Sequence, residues 1–154
     1  MKFILSVLIL TVNAYCNAQE KYPLNFDADS FCIAKKYPTL WVGKIVAVRG
    51  TIKEVRRSHA KPYYFLDIGS NKTIGIGAMV DYTGKKNRTG DIVKVLGYFM
   101  ELNPDDHTHH INTDEFHIMS FCVVNTETQA VLQHPEKQKQ ISQWTAGGIP
   151  VGSD

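Results

Sequence analysis

Cysteine is scarce in this chain, and the spacings that signal common enzymes are missing. Three cysteines occur among 154 residues, at positions 16, 32 and 122, and no two have the CxxC spacing of a thiol–disulfide oxidoreductase. Neither the HExxH pattern of zinc peptidases nor the GxSxG turn of serine hydrolases is present. The sequence therefore predicts a protein that is not an enzyme.

Long apolar runs are also lacking beyond the N-terminus. One run occupies residues 3–12 after Lys2, and it is too short to span a bilayer. With the small residue Ala18 behind it, it is typical of a secretory signal peptide covering residues 1–18 and cleaved after Ala18. The alternative is a lipoprotein acylated at Cys16, which the bulky Tyr15 disfavours. We therefore expect a secreted or periplasmic protein without a membrane span.

Charge is nearly balanced, and the cysteine count fits export. The formal net charge of +2 falls to +1 when Lys2 leaves with the signal peptide. A charge this small neither favours nor disfavours nucleic-acid binding. Cys32 and Cys122 remain as an even pair in an oxidising compartment, so we predict a disulfide between them. Two free thiols are the alternative.

Three further segments follow the signal peptide. Residues 19–39 hold a short helix, capped by Asp27 and ending before Pro38. Residues 40–125 alternate apolar and polar positions and predict five strands, at 41–55, 63–68, 73–80, 91–102 and 115–124. Gly50 and Gly97 lie mid-strand and predict bends, as a barrel requires. Residues 126–154 predict a tail that is partly helical, over 127–133 and 136–144, and flexible at its end.

Part of the barrel region resembles a known family of folds. Residues 48–57 (VRGTIKEVRR), 64–69 (YFLDIG) and 90–97 (GDIVKVLG) resemble strands of nucleic-acid-binding OB (oligonucleotide/oligosaccharide-binding) domains, such as the anticodon-binding domains of aminoacyl-tRNA synthetases. Together, leader, helix and barrel resemble the bacterial periplasmic OB-fold family. The resemblance implies an all-β fold class: a single five-stranded OB-type β-barrel with a short N-terminal helix and a flexible C-terminal tail. Residues 81–90 depart from the family, because they offer at most one turn where a helix usually joins strands three and four.

The resemblance also implies where a ligand binds. OB domains use the face of strands two and three, flanked by the loops after strands one and four. Here the first loop is basic and strand two carries aromatic residues. The predicted ligand-binding residues are Lys53, Arg56, Arg57, Lys61, Tyr63 and Phe65. Cations bind phosphates and rings stack on bases, so the first hypothesis is a single-stranded nucleic acid or another anionic polymer. Alternatively, Tyr63 and Phe65 fill the space left by Gly75 and Gly77.

The loop before strand five is acidic and rich in histidine. Imidazoles and carboxylates close together bind divalent transition metals, and the candidate ligands are His107, His109, His110 and His117. A polar loop whose histidines titrate below neutral pH is the alternative. No other cofactor is expected.

Two further functions stay open. One is a protein–protein interaction module, such as an exported effector or envelope-stress protein, that uses the sheet face or the tail with Trp144. The other is an OB-type nuclease built on Asp67 with Arg56 or Arg57. The sequence places no second and third carboxylate beside Asp67, which disfavours the nuclease.

Overall fold

A computed structural model describes residues 24–58, 61–78, 87–103, 114–128 and 131–145. The predicted signal peptide, most of the connection between the third and fourth predicted strands, most of the histidine-rich loop and the last nine residues lie outside the described residues.

The N-terminal helix forms where the sequence predicts it. Strand β1 (Leu24–Asn25) runs parallel to the first long strand, and α1 (Ala28–Lys36) follows. Oδ1 of Asp27 accepts the Ser30 amide at 2.8 Å, which caps the helix and holds the pKa of the Asp27 carboxyl below its usual 3.8. The helix stops before Pro38, which starts a 3₁₀ turn at Pro38–Leu40.

Six more strands make up the rest of the sheet. They are β2 (Ile45–Ser58), β3 (Lys61–Asp67), β4 (Thr73–Ala78), β5 (Ile92–Glu101), β6 (Phe116–Asn125) and β7 (Val131–Gln133). A 3₁₀ turn (Pro135–Lys137) and helix α2 (Gln138–Thr145) follow, so the predicted helix over 136–144 is largely confirmed.

Two boundaries differ from prediction. The predicted loop over 56–62 is mostly strand, because β2 and β3 stay paired as far as Ser58 and Lys61. The helix predicted over 127–133 is wrong: its last three residues form β7, which pairs with β6, for example Leu132 with Val123. That strand exists because β6 offers it an edge, which no local pattern reveals.

The strand order defines the fold. The path runs β2-β3-β4-β6-β5, and β5 pairs back onto β2, which closes a five-stranded barrel. All barrel pairs are antiparallel except β4 with β6. This is the Greek-key order of an OB-type barrel, so the predicted fold class is confirmed.

The two predicted bends lie where the barrel needs them. At Gly50 and Thr51, β2 leaves β5 and joins β3. A Cβ on Gly50 would lie 2.5 Å from the carbonyl oxygen of Asp67, and one on Gly97 would lie 2.5 Å from that of Met119. Gly97 adjoins a bulge in the β5–β6 ladder. Both positions exclude a side chain because another backbone approaches too closely.

The core has two parts, on opposite faces of the sheet. The barrel interior contains Val95 and Val123, and α1 packs against it through Phe31 and Ala34. A second cluster joins Leu96, Phe121, Cys122 and Ile141. Successive strand residues point to opposite faces, so Leu96 and Cys122 face outward where Val95 and Val123 face inward. The C-terminal helix therefore covers the outside of β5 and β6.

The predicted disulfide is wrong, because both thiols are free. Cys32 lies exposed on α1, which packs against the interior cluster. Cys122 is buried in the outer cluster, on the opposite face of the sheet. Burial raises the pKa of the Cys122 thiol to about 12.

Candidate ligand face on the β2–β3 hairpin

One hairpin carries all six predicted ligand-binding residues. In its register Arg56 lies opposite Tyr63, and Phe65 lies opposite Glu54. Arg57 pairs with Pro62 and Lys61 with Ser58, at the end of the hairpin. For Arg57 and Lys61 the structure describes the backbone alone.

Arg56 and Phe65 bring a cation and a ring to one point. The guanidinium carbon of Arg56 lies 4.9 Å from the centroid of the half-buried Phe65 ring. Glu54 holds the guanidinium in place, accepting from Nε at 2.7 Å and from Nη2 at 3.1 Å. This hydrogen-bonded ion pair lowers the pKa of Glu54 and raises that of Arg56. The Glu54 carboxylate therefore occupies the Nε and Nη2 donors of Arg56.

Lys53 is also paired with a carboxylate. Its Nζ lies 3.1 Å from Oδ2 of Asp67. Asp67 in addition accepts the Gly69 amide at 2.9 Å, and these two donors, the amide first, lower the pKa of the Asp67 carboxyl. Lys53 and Arg56 thus each face one carboxylate, and the positive charge that the sequence suggested is locally balanced.

Tyr63 packs beneath the candidate ligand face, against Phe65. Its side chain is buried, with 1% exposed, so it presents no ring surface to a base. The hydroxyl lies 3.2 Å from Nδ1 of His117, and the two rings stack at 6.1 Å with an angle of 29°. Tyr63 is on β3 and His117 on β6, so this contact passes over β4, where Gly75 and Gly77 have no side chains.

The register agrees with the alternative structural interpretation of the aromatic residues. Tyr63 lies opposite Gly77 and Phe65 lies opposite Gly75. The sequence pattern alone does not identify His117 as the partner of Tyr63. The two glycines, spaced by one residue opposite two aromatics, were the available signal for a ring crossing the strand.

The predicted metal ligands are only partly described. His107, His109 and His110 lie outside the described residues. His117 is 3% exposed and lies on β6. Within residues 24–58, 61–78, 87–103, 114–128 and 131–145, no three His, Cys, Asp or Glu side chains come close enough to hold a metal. In that same part of the chain, no helix has both the length and the apolar character needed to cross a bilayer.

Comparison with known proteins finds similarity to solved structures alone. No protein-family model matches, and no curated protein matches. Among solved structures, the chain is similar to asparaginyl-tRNA synthetase from Pyrococcus horikoshii complexed with asparaginyl-adenylate, at 16% identity and a TM-score of 0.48. The match covers 75% of this chain and 24% of the synthetase, so this chain spans about a quarter of that protein's length.

Two further structures show weaker likeness. A replication protein A heterotrimer bound to single-stranded DNA matches at 12% identity and a TM-score of 0.38, covering 68% of this chain and 67% of that one. The Stn1–Ten1 complex of S. pombe matches at 14% and 0.37, covering 66% of each chain. The class of protein defined here, an OB-type barrel with a candidate ligand face, rests on strand order and on the β2–β3 hairpin.

Proposed function

We propose that this chain is an exported, non-enzymatic binding module that holds single-stranded nucleic acid or another anionic polymer on the outer face of the β2–β3 hairpin. One observation carries the proposal: the guanidinium of Arg56 is held 4.9 Å over the ring of Phe65. A cation and a half-exposed ring at one point are what a phosphate with its adjoining base requires.

Binding would proceed by exchange at Arg56. The guanidinium fork already makes two hydrogen bonds to Glu54, in the geometry that a phosphate also accepts. Two phosphate oxygens would take the place of the carboxylate, while a base stacks on the part of the Phe65 ring that is exposed. Glu54 is therefore a competitor of the ligand, and the Glu54–Arg56 pair tunes affinity downward.

Backbone positions extend the path. Lys61 lies two residues before Tyr63 and opposite Ser58, so its position falls on the same face as Arg56, whereas Arg57 directly follows Arg56 and falls on the other face. Each phosphate that such a cation neutralises adds to the salt dependence of binding. This proposed track runs along the hairpin rather than across the half of β2 that pairs with β5.

A test of the ring is direct. A labelled oligothymidylate of about 15 nucleotides, within the usual site size of an OB fold, is titrated with wild type and Phe65→Ala. We expect the variant to lose about 1–3 kcal/mol of binding free energy, the value of one stacked base. Equal affinity for both proteins would place the ligand elsewhere. Tyr37→Ala, at an exposed ring on the C-cap residue of α1, serves as the matched control.

Export is the second part of the proposal, and residues 1–18 support it. The full chain is expressed in a bacterium with a general secretion system, and the intact mass of the exported product is measured. We expect an N-terminus at Gln19. A product that begins at an acylated Cys16 would instead identify a lipoprotein. A product that keeps Met1 would contradict cleavage of a signal peptide and therefore the proposed export.

A further inference from the structure

Helix α1 and the turn that follows it expose a cluster of apolar side chains. Of the five large apolar residues that are exposed in the part of the chain that the structure describes, four lie within residues 33–42: Ile33, Tyr37, Leu40 and Val42. Apolar side chains gathered at one place on a surface mark a site of interaction. All four precede β2, and none belongs to the proposed polymer site on the β2–β3 hairpin.

The outward side of α1 carries charges in a pattern that can match a second copy of itself. One side of the helix packs on the barrel. On the other side, Asp29, Ile33 and Lys36 follow at intervals of four and three residues, and all three are exposed. This α1 stripe has an acid at one end, a base at the other and an apolar residue between them. Lys35 lies outside the stripe and is ion-paired with Asp114 at 2.8 Å.

A two-fold axis at Ile33 pairs the α1 stripe with itself. Two copies of α1 placed antiparallel bring Ile33 of one against Ile33 of the other. Asp29 of each copy then meets Lys36 of the other, because these residues lie at nearly equal distances on either side of Ile33. An isologous interface requires this kind of self-complementarity. Opposite charges across an interface fix its register, whereas like charges oppose association.

We propose that the chain forms a symmetric dimer through the α1 stripe, with Tyr37 and Leu40 extending the contact on each side of the axis. A single short helix and its following turn make a small interface, so the dissociation constant should be about 10–100 µM. By mass action the chain is then a monomer at about 1 µM, the concentration suited to measurements of unfolding and of polymer binding.

Sedimentation equilibrium of the mature chain tests the dimer over about 1–500 µM, a range that spans the expected dissociation constant. Wild type should pass from monomer to dimer. Ile33→Asp places two carboxylates at the axis and should weaken association at least about tenfold. Met100→Asp is the matched control, because Met100 is the exposed apolar residue outside the cluster, and it should associate as wild type does.

Three results would overturn the dimer. One is a wild type that stays monomeric throughout the range, and another is equal association of Ile33→Asp and Met100→Asp. The third is a monomeric wild type that binds phosphatidylglycerol vesicles, which would assign the cluster to a lipid surface.

Exchange of charges tests the antiparallel pairing. Asp29→Lys and Lys36→Asp each bring like charges together, so each variant alone should associate at least about tenfold more weakly than wild type. An equal mixture of the two should form a heterodimer, because both contacts then join opposite charges. Recovery on mixing cannot come from misfolding, since each variant would carry its own defect into the mixture.

A short bis-maleimide gives a second readout of the same mixture. Cys32 is exposed and directly precedes Ile33, whereas Cys122 is buried, so a crosslink between native chains joins the two Cys32 thiols. The mixture should crosslink as wild type does and each variant alone much less. A mixture that crosslinks no more than either variant alone would overturn the antiparallel pairing.

Discussion

The hydroxyl of Tyr63 lies 3.2 Å from Nδ1 of His117, and the two residues are joined over the intervening strand β4. Both side chains are buried, at 1% and 3% exposed. The contact links β3 to β6 on the outside of the barrel, where Gly75 and Gly77 leave room for a ring. The two rings fill the space over β4 next to the candidate ligand face.

Tyr63→Phe tests how much that contact contributes to the free energy of unfolding. Removal of the hydroxyl takes a hydrogen-bond partner from a buried ring nitrogen, so we expect a loss of about 1–3 kcal/mol in the free energy of unfolding. Chemical denaturation measures it. Tyr37→Phe deletes the same atom from a ring that is 48% exposed and should change stability by less than about 0.5 kcal/mol. Similar effects for the two variants would contradict the assigned role.

Gly97→Ala tests the close approach of strands. The new Cβ would meet the Met119 carbonyl oxygen at 2.5 Å, a backbone atom that cannot move aside, so the variant should lose about 1–3 kcal/mol or more of stability. Gly77→Ala is the matched control, because its Cβ finds neighbours no nearer than 3.5 Å. It should be clearly less destabilising in the same thermal or denaturant unfolding experiment. Two equally damaged variants would mean that strand propensity, not the approach at Gly97, decides the cost.

Ile141→Ala tests whether the C-terminal helix belongs to the folded unit. Ile141 is 3% exposed and packs with Leu96, Phe121 and Cys122 on the outside of the barrel. Its truncation should cost about 2–5 kcal/mol in the free energy of unfolding. Ile33→Ala, at a side chain 51% exposed, should cost less than about 0.5 kcal/mol. No loss for Ile141→Ala would show that α2 does not stabilise the barrel.

Thiol labelling tests the state of the cysteines. In the mature native protein a thiol reagent should modify Cys32 rapidly. Cys122 should react only after unfolding, because burial raises its pKa to about 12 and leaves no thiolate at neutral pH. Mass spectrometry counts the labels. If the native chain takes up none, and takes up two only after reduction, a disulfide exists and the arrangement of the two faces is wrong.

Local patterns were sufficient for the barrel but not for contacts between its strands. Alternation and the mid-strand positions of Gly50 and Gly97 predicted five strands and two bends, since both depend on neighbours in sequence. The Tyr63–His117 contact spans 54 residues. Gly75 and Gly77 indicate that a ring crosses β4, but no local pattern identifies His117 as its partner. The disulfide failed for a similar reason, because a count of cysteines does not say which face of a sheet each one occupies.

The ion pairs on the candidate ligand face could be predicted only in part from the sequence. Glu54 and Arg56 are two residues apart in one strand and therefore share a face, which the sequence shows directly. The pairing of Lys53 with Asp67 was not readable, because a register shift between Ile52 and Glu54 alters the alignment of β2 with β3. Lys53 and Arg56, two of the predicted ligand cations, are ion-paired, so the proposed ligand would compete with Asp67 and Glu54 for them.

The most direct test of the central claim compares two substitutions at one ion pair. Binding of the labelled oligothymidylate is measured by fluorescence anisotropy across a range of salt concentrations for wild type, Arg56→Gln and Glu54→Gln. Arg49→Gln, an exposed arginine in the half of β2 that pairs with β5, is the charge-matched control. We expect Arg56→Gln to weaken binding and reduce the salt slope by about 1, Glu54→Gln to strengthen binding, and Arg49→Gln to leave both nearly unchanged. If Arg56→Gln and Arg49→Gln behave alike, or if no saturable binding occurs even at low salt, the hairpin is not the site of an anionic polymer.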